Sequence, residues 1–434
     1  MATSRSLFVI GGGGREHALV WHLRRHDPQA RLYAAPGNPG IGQIATRLRI
    51  PVTDLEGLAD AAEAVGADLT IVGPEAPLVC GIVDRFSARG LSIIGPTASA
   101  AAIEGSKVFA KDLMCRWGIP TARHEVFADV HEALAFLGRV DGPVVVKADG
   151  LAAGKGVIVC DDRDEASRAV RTMLADRAFG DAGQRVVIEE RLEGEEVSVL
   201  ALVDGGAVAL LPAAQDHKRV GDGDRGPNTG GMGAAAPYPL SGALRARIVR
   251  EILEPAAHAM CAEGRPYHGV LFAGLMLTRD GPKVLEFNCR LGDPEAQVIL
   301  PLLPVGLPEA FEALRAGPLA TDALAAAGGA AVGVVLASRG YPGTPEVGDP
   351  IGGLEFSELS DGDALVFHSG TALRDGRLVT AGGRVLTVVG RAATLPGAQA
   401  RAYEVAGCIH FEGMHFRRDI GAGLASAPVS AGRG

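Results

Sequence analysis

Along the first hundred positions, short apolar runs alternate with longer amphipathic stretches. Residues 7–10, Leu-Phe-Val-Ile, carry no polar interruption and predict a strand buried on both faces. Glycines follow at 11–14, then a helical pattern over 16–25 and a second strand over 31–35. Helices over 55–65 and 83–89 alternate with strands over 69–72 and 91–94. This β-α-β order predicts a doubly wound parallel sheet. Residues 97–116 read as mostly helical and stop before Gly118-Ile119-Pro120. Strands over 144–147 and 157–160 flank a glycine-rich connection, and a helix over 166–175 precedes strands over 186–190 and 197–203. That stretch predicts a small α+β unit. A long helix over 244–262 leads to an antiparallel pair, 270–277 and 283–288, and then to a helix over 308–315. From residue 330 the pattern becomes short strands and Gly/Pro turns, as in a β-rich domain. Residues 422–434, rich in Ala, Ser, Gly and Pro, read as a disordered tail. The fold class is therefore multidomain α/β.

Length and composition narrow the function. At 434 residues the chain exceeds what one core serves, and 47% apolar with 21% charged residues is ordinary globular usage. A net charge of −9 argues against nucleic acid as a partner, and no basic run points to a membrane surface. The longest apolar stretch, 325–337, is broken by Gly328, Gly329 and Gly333 and is too short to span a bilayer. Residues 1–6 run into a strand pattern without a signal segment, so the expected compartment is the cytoplasm. The six cysteines are scattered without a CxxC pair and are expected to be free and mostly buried.

Lysine use is selective. The chain has Lys107, Lys111, Lys147, Lys155, Lys218 and Lys283, and every other basic side chain except histidine is Arg. A retained Lys offers a compact charge suited to phosphate. Lys111 and Lys283 are expected to be incidental.

Two loops on the first sheet are candidate ligand sites. Gly11–Gly14 follows a strand and opens a helix, which lets backbone approach an anion. A dinucleotide frame fails, because Glu16 stands where the third Gly belongs and the second strand ends in Ala34-Ala35-Pro36-Gly37-Asn38 without a carboxylate. A smaller phosphorylated ligand near Gly13 and Gly14 fits better. Glu75, in the loop after the strand over 69–72, is placed to accept bonds from sugar hydroxyls.

The segment Lys147-Ala148-Asp149-Gly150-Leu151-Ala152-Ala153-Gly154-Lys155-Gly156 superficially matches a P-loop. The spacing is one residue short, Gly156 replaces the Ser/Thr, and a strand follows instead of a helix. It predicts a strand–loop–strand flap whose N–H groups meet phosphate, with Lys147 and Lys107 reaching the same oxygens. Downstream, the backbone of Glu189-Glu190-Arg191-Leu192 leaves a sheet where it can pair with an adenine, and Glu196 is placed for a ribose. On the strand 284–290, Glu286, Asn288 and Arg290 alternate with Leu285, Phe287 and Cys289. A carboxylate and an amide oxygen two residues apart suit Mg²⁺ shared with phosphates, and Arg290 suits a carboxylate or phosphoryl group. Asp216 and Lys218 lie in a polar, glycine-rich loop running to Gly233 that reads as an acceptor-positioning segment; His217 reads as structural.

Taken together, GGGGREHAL, APGNPG, LTIVGPEAPL, EGSKVFAKD, VVKADGLAAGKGV, IEERLEGEEVS, QDHKR, GPNTGGMGA and LEFNCRLGDPEAQ resemble the ATP-grasp ligases, and among them the phosphoribosylamine–glycine ligase family. The resemblance spans about residues 7–421. It implies an N-terminal substrate domain over 1–103 and a central ATP-grasp α+β module over 104–300 with its flap at about 122–195. A β-rich C-terminal domain over 301–421 completes the expected division. It implies ligation of glycine to 5-phosphoribosylamine with ATP and Mg²⁺ or Mn²⁺ in purine biosynthesis, through glycyl phosphate. ATP would meet Lys107, Lys147, Gly150, Gly154, Lys155, Gly156, Glu189, Glu190, Arg191, Leu192 and Glu196. The metal would fall on Glu286 and Asn288, and the substrates on Gly13, Gly14, Glu75, Asp216, Lys218 and Arg290. Of these, Asp216, Lys218 and Arg290 would serve the chemistry. A monomer or a homodimer is expected. Residues 271–276, before the Glu-x-Asn strand, lack the carboxylate many relatives carry there, so any second metal would share Glu286.

Overall fold

The computed structural model describes residues 4–152, 156–320, 322–354 and 362–425. The first sheet contains β1 (Ser6–Gly11), β2 (Arg31–Pro36), β3 (Thr46–Arg47), β4 (Leu69–Val72) and β5 (Ile93–Ile94). Its order is β3-β2-β1-β4-β5, with every pair parallel. Helices α1 (Gly14–His26), α2 (Leu55–Ala64), α3 (Glu75–Val79) and α4 (Ile82–Ala88) connect the strands. The order reverses between β1 and β4, so the crevice at their C-terminal ends lies between Gly11–Gly14 and Gly73–Glu75.

Helix α5 (Ala98–Gly105) breaks at Ser106 and restarts as α6 (Lys107–Arg116). Ser106 caps the restart by accepting the Phe109 amide at 3.1 Å. The flap unit contains β6 (His124–Phe127), α7 (Val130–Leu137), β7 (Val144–Ala148), β8 (Val157–Cys160), α8 (Arg163–Val170) and β9 (Val186–Glu190). Its antiparallel sheet has the order β6-β9-β7-β8. A separate core, including Val144, Val146, Cys160, Ala169, Met173 and Ile188, holds the unit together. A unit with its own core can move as a body.

The central sheet contains β10 (Glu195–Asp204), β11 (Ala207–Leu210), β16 (His268–Thr278) and β17 (Gly281–Asn288), in the order β11-β10-β16-β17. The expected loop between Asp216 and Gly233 is structured. It forms β12 (Gln215–Asp216), the hairpin β13 (Arg219–Gly221) and β14 (Arg225–Asn228), and β15 (Gly233–Ala236). The 244–262 helix is α9 (Gly242–Ile248) and α10 (Glu254–Ala262), joined by a π-helical segment at Val249–Leu253. Short α11 (Glu295–Ile299) and α12 (Leu307–Ala316) lead out.

The last sheet contains β18 (Ala330–Ala337), β19 (Ala364–His368) and β22 (Arg384–Ala392), beside a hairpin of β20 (Thr371–Arg374) and β21 (Arg377–Thr380). Its order is β12-β15-β18-β22-β19, so two strands from the middle of the chain complete it. Helix α13 (Leu395–Ala406) covers it, and α14 (Ala422–Ala425) adds Leu424 to its core. The expected tail thus begins with a packed turn, because Leu424 has an apolar site to enter; residues 426–434 lie outside the described residues. Among the described residues no single helix is long and apolar enough to cross a membrane. Only Cys160 and Cys289 are buried; Cys80, Cys115 and Cys408 are exposed, contrary to expectation, since each falls on a surface helix end or turn.

Candidate active site

The strand carrying Glu286 is bulged. Gly274 pairs with Glu286 and Leu275 with Val284, leaving Leu285 as the extra residue. Strict alternation predicts Leu285 in the core, but the bulge gives that place to Val284, which is buried with Phe287 and Cys289. The freed Leu285 carbonyl accepts Lys147 Nζ at 2.9 Å. Across from Glu286 stands Gly274, where a Cβ would rest 3.5 Å from Glu286 Cγ.

Three lysines converge here. Lys218 Nζ lies between Glu196, its direct partner, and Glu286, 3.9 Å away. Lys147 Nζ lies 3.0 Å from Glu189. Lys107 Nζ donates to the Gly150 carbonyl at 3.1 Å, fastening the flap's base to α6. Burial alone would push the Glu286 carboxyl up; Lys218, Lys147, Lys107 and Arg290 together outweigh it and hold Glu286 below its usual range. Lys218 moves the opposite way from its burial, because Glu196, Glu286 and Asp216 keep it charged. Burial pushes Asp216 well up, with Glu295 adding to it against Lys218.

Hard divalent cations take oxygen ligands. Glu286 and Asn288 supply two, with Glu286 ionised and its side chain 32% exposed. Among the described residues no group of three or more His, Cys, Asp or Glu forms a metal cage. The donor set therefore fits a cation that completes its shell from phosphate oxygens rather than one caged by protein.

Several expected residues are already engaged. Arg290 donates to Glu75 at 3.2 Å, the Leu291 carbonyl at 3.3 Å and Asn288 at 3.4 Å, and is ion-paired with Glu104 at 3.0 Å. One guanidinium N–H is left for a ligand. Glu190 accepts from the Arg123 amide at 3.0 Å and its guanidinium at 2.7 Å, and Arg191 pairs with Asp161. Those two side chains are engaged in bracing the hinge. The Glu190 amide goes to the Arg123 carbonyl and the Arg191 amide to Pro143, while among the described residues the Leu192 amide makes no backbone bond. Gly150 and Gly156 flank the flap turn: a Cβ would strike Ala182 at 2.6 Å from Gly150, and Ala152 at 2.7 Å from Gly156. Gly154 and Lys155 lie outside the described residues.

At the first glycine cluster, Glu16 folds back under the loop. Its carboxylate accepts the Gly13 amide at 2.5 Å and pairs with Arg15 at 2.6 Å. A Cβ at Gly11 or Gly73 would collide with it, at 2.3 and 2.1 Å. The residue that breaks the dinucleotide frame thus explains the surrounding glycines, and the Gly13 N–H is not free for phosphate as expected. Gly14 is a packing glycine, since a Cβ there would meet Ser369 Oγ at 2.5 Å and Gln297 Nε2 at 2.6 Å.

Sequence reasoning missed three sets of residues. Asp149 accepts Ser106 Oγ at 2.9 Å and the Val108 amide at 2.8 Å, tying the flap to α6; the Ser at a helix start was the available signal. Lys111 is not incidental: it is buried 3.0 Å from Glu189. Arg384 and Arg417 of the last domain hold the segment between β12 and β15. Arg417 donates to the Arg219 carbonyl at 3.1 Å and to Asp224 at 2.6 Å, and Arg384 to the Gly230 carbonyl at 2.5 Å. No local motif marks either arginine.

Models of the phosphoribosylglycinamide synthetase N domain, ATP-grasp (A) domain and C domain match residues 5–104, 105–296 and 331–423. The phosphoribosylamine–glycine ligase of Pseudomonas aeruginosa is 51% identical over 420 residues, covering 96% of this chain and 97% of that protein. The chain belongs to the phosphoribosylamine–glycine ligase family. The enzyme of Escherichia coli O6:H1 is 50% identical over 96% of this chain and 97% of its own length. The crystal structure of phosphoribosylamine–glycine ligase from Thermotoga maritima matches with a TM-score of 0.83 at 37% identity, over 95% of this chain and 99% of that one. The biotin carboxylase domain of Hydrogenobacter thermophilus 2-oxoglutarate carboxylase shares the fold alone, with a TM-score of 0.71 at 17% identity over 96% of this chain and 92% of that one. As a phosphoribosylamine–glycine ligase, this ATP-grasp enzyme makes glycinamide ribonucleotide for purine biosynthesis.

Proposed function

We propose that the ligase works by carboxylate activation in the crevice between the flap, β9 and β17. ATP lies with its adenine against the Glu189–Leu192 backbone, its ribose near Glu196, and its phosphates under Gly150–Gly156, met by Lys107, Lys147 and Lys155. Glu286 and Asn288 hold Mg²⁺ or Mn²⁺, which when bound offsets charge on the phosphates. Glycine lies near Lys218 and Asp216. Phosphoribosylamine lies along the ends of β1 and β4, near Gly13 and Gly14, between Glu75 and the remaining Arg290 N–H.

A glycine carboxylate oxygen attacks the γ-phosphorus, the bond to ADP breaks, and glycyl phosphate forms. Lys107, Lys147 and Lys218 offset charge as the phosphoryl group moves. The amine of phosphoribosylamine then attacks the acyl carbon, the bond from that carbon to the phosphate oxygen breaks, and the departing phosphate takes the amine's proton. The flap excludes the water that would hydrolyse the acyl phosphate. Lys218 stays protonated throughout, so it acts as a fixed charge rather than a base.

The observation that carries this reading is the convergence of Lys218, Lys147, Lys107 and Arg290 on one ionised carboxylate, Glu286. Its test is ADP release with phosphoribosylamine plus glycine, against formate or bicarbonate in glycine's place. Glycine-dependent release is expected; release independent of glycine contradicts the reading. The setting proposed is cytoplasmic, as a monomer or homodimer.

A further inference from the structure

Beneath the proposed phosphate site lies a buried chain of charges, of which only Lys147 has a part in the proposed reaction. Glu189 is 2% exposed at the side chain and sits between two ammonium groups, Lys147 on one oxygen and Lys111 on the other, each at 3.0 Å. Lys111 side-chain exposure is 3% and that of Lys147 is 6%. Lys111 also donates to Thr121 Oγ1 at 2.7 Å, and that hydroxyl donates to the Val284 carbonyl at 2.7 Å. Lys147 reaches the adjoining carbonyl, Leu285, at 2.9 Å. Two carbonyls at the bulge are thus reached by two lysines that share one carboxylate, Leu285 directly by Lys147 and Val284 from Lys111 through Thr121.

The charge balance decides what this does. Lys111, Lys147 and Glu189 sum to +1. Without Lys111 the remaining pair is neutral, and Glu189 holds Lys147 as its sole counter-ion. At low local dielectric, a carboxylate so close takes most of an ammonium's pull on an outside anion. Burial and Lys147 bring Lys111 down to about 8, which leaves it mostly protonated at neutral pH.

We propose that Lys111 is a positioning residue for nucleotide phosphate: by neutralising Glu189 it frees the charge of Lys147 for the phosphates and holds that lysine against the Leu285 carbonyl. The inference rests on the nucleotide placement proposed above. It assigns Lys111 no contact with ATP, and it separates phosphate binding from adenosine binding. Glu189 and Lys147 are held from both sides, so removing either neighbour changes charge more than shape.

The test compares ADP with adenosine, which has the same base and ribose and no phosphate. Binding of each is measured by calorimetry for the whole chain as wild type, K111M and the double variant K111M/E189Q. In K111M, ADP affinity falls about tenfold while adenosine affinity stays within about twofold. In the double variant, which returns the site to +1, ADP affinity recovers to within about threefold of wild type. Equal weakening of ADP and adenosine in K111M overturns the proposal, as does unchanged ADP affinity. Should K111M fail to fold, the double variant leaves no buried carboxylate unpaired and carries the test: near-normal ADP affinity supports the proposal, and a tenfold loss overturns it. A wild-type protein that does not bind ADP overturns instead the nucleotide placement on which this inference stands.

Discussion

Glu286 shows how little of a site lies in one residue. Its carboxylate is ionised because four cations surround it, and they come from α6, β7, the segment after β12 and the segment after β17. Replacing it with Gln keeps the shape and removes the charge. Turnover should fall more than about 100-fold, beyond the usual cost of an outer-sphere partner, with unchanged circular dichroism. Near-normal turnover in Glu286→Gln would rule out Glu286 as a metal ligand. The sequence made Glu286 and Asn288 legible because both sit on one strand and period-two alternation pairs them. It left Lys111 illegible, since its partner Glu189 is 78 positions away and no local pattern links an α6 lysine to β9. Gly14 gives a second residue-scale outcome. Gly14→Ala should cost about 1–3 kcal/mol in a denaturant melt, because its Cβ enters space held by Gln297 and Ser369. A null effect would show that the two side chains retreat freely.

At the scale of elements, the flap and the β12–β15 segment behave differently. The flap has its own core and touches α6 through Lys107, Ser106 and Val108. Nucleotide binding should therefore slow amide exchange across Val144–Ala148 and Val157–Cys160 while the C-terminal sheet stays unchanged. Uniform slowing across the chain would contradict a separate body. The flap was readable because glycine spacing and two short strands are local signals. The β12–β15 segment reads as loop in the sequence because its strands are only two to four residues long, and β15, which carries β12, gains its outer partner from β18, about a hundred residues on. The bulge at Leu285 was equally invisible, since it depends on register against β16.

Across the whole molecule, buried neutral histidines join the first and last domains. His17 accepts the His368 amide at 2.8 Å, and His22 accepts the Leu307 amide at 3.1 Å. Burial first, and neighbouring histidines second, lower His17 and His22 to about 3, and burial lowers His368 to about 4. The unfolded chain takes up these protons near pH 6.5, where the folded chain does not. Their contribution to stability is therefore fully present above about pH 7.5 and declines as pH falls from 6.5 toward 4. Thermal midpoints should drop steadily between pH 7 and 5; a flat profile would contradict the neutral assignment. The order of domains was legible from pattern alone, but their joints were not. Arg384, Arg417 and Tyr341 reach the β12–β15 segment only in three dimensions.

The central claim is that glycine is activated by phosphorylation in the crevice around Glu286. The most direct measurement uses glycine labelled with ¹⁸O in its carboxylate, ATP and phosphoribosylamine, with mass analysis of the phosphate released. One labelled oxygen per phosphate is the expected result, because the bridging oxygen of glycyl phosphate leaves with phosphorus. Unlabelled phosphate at full turnover would contradict the account.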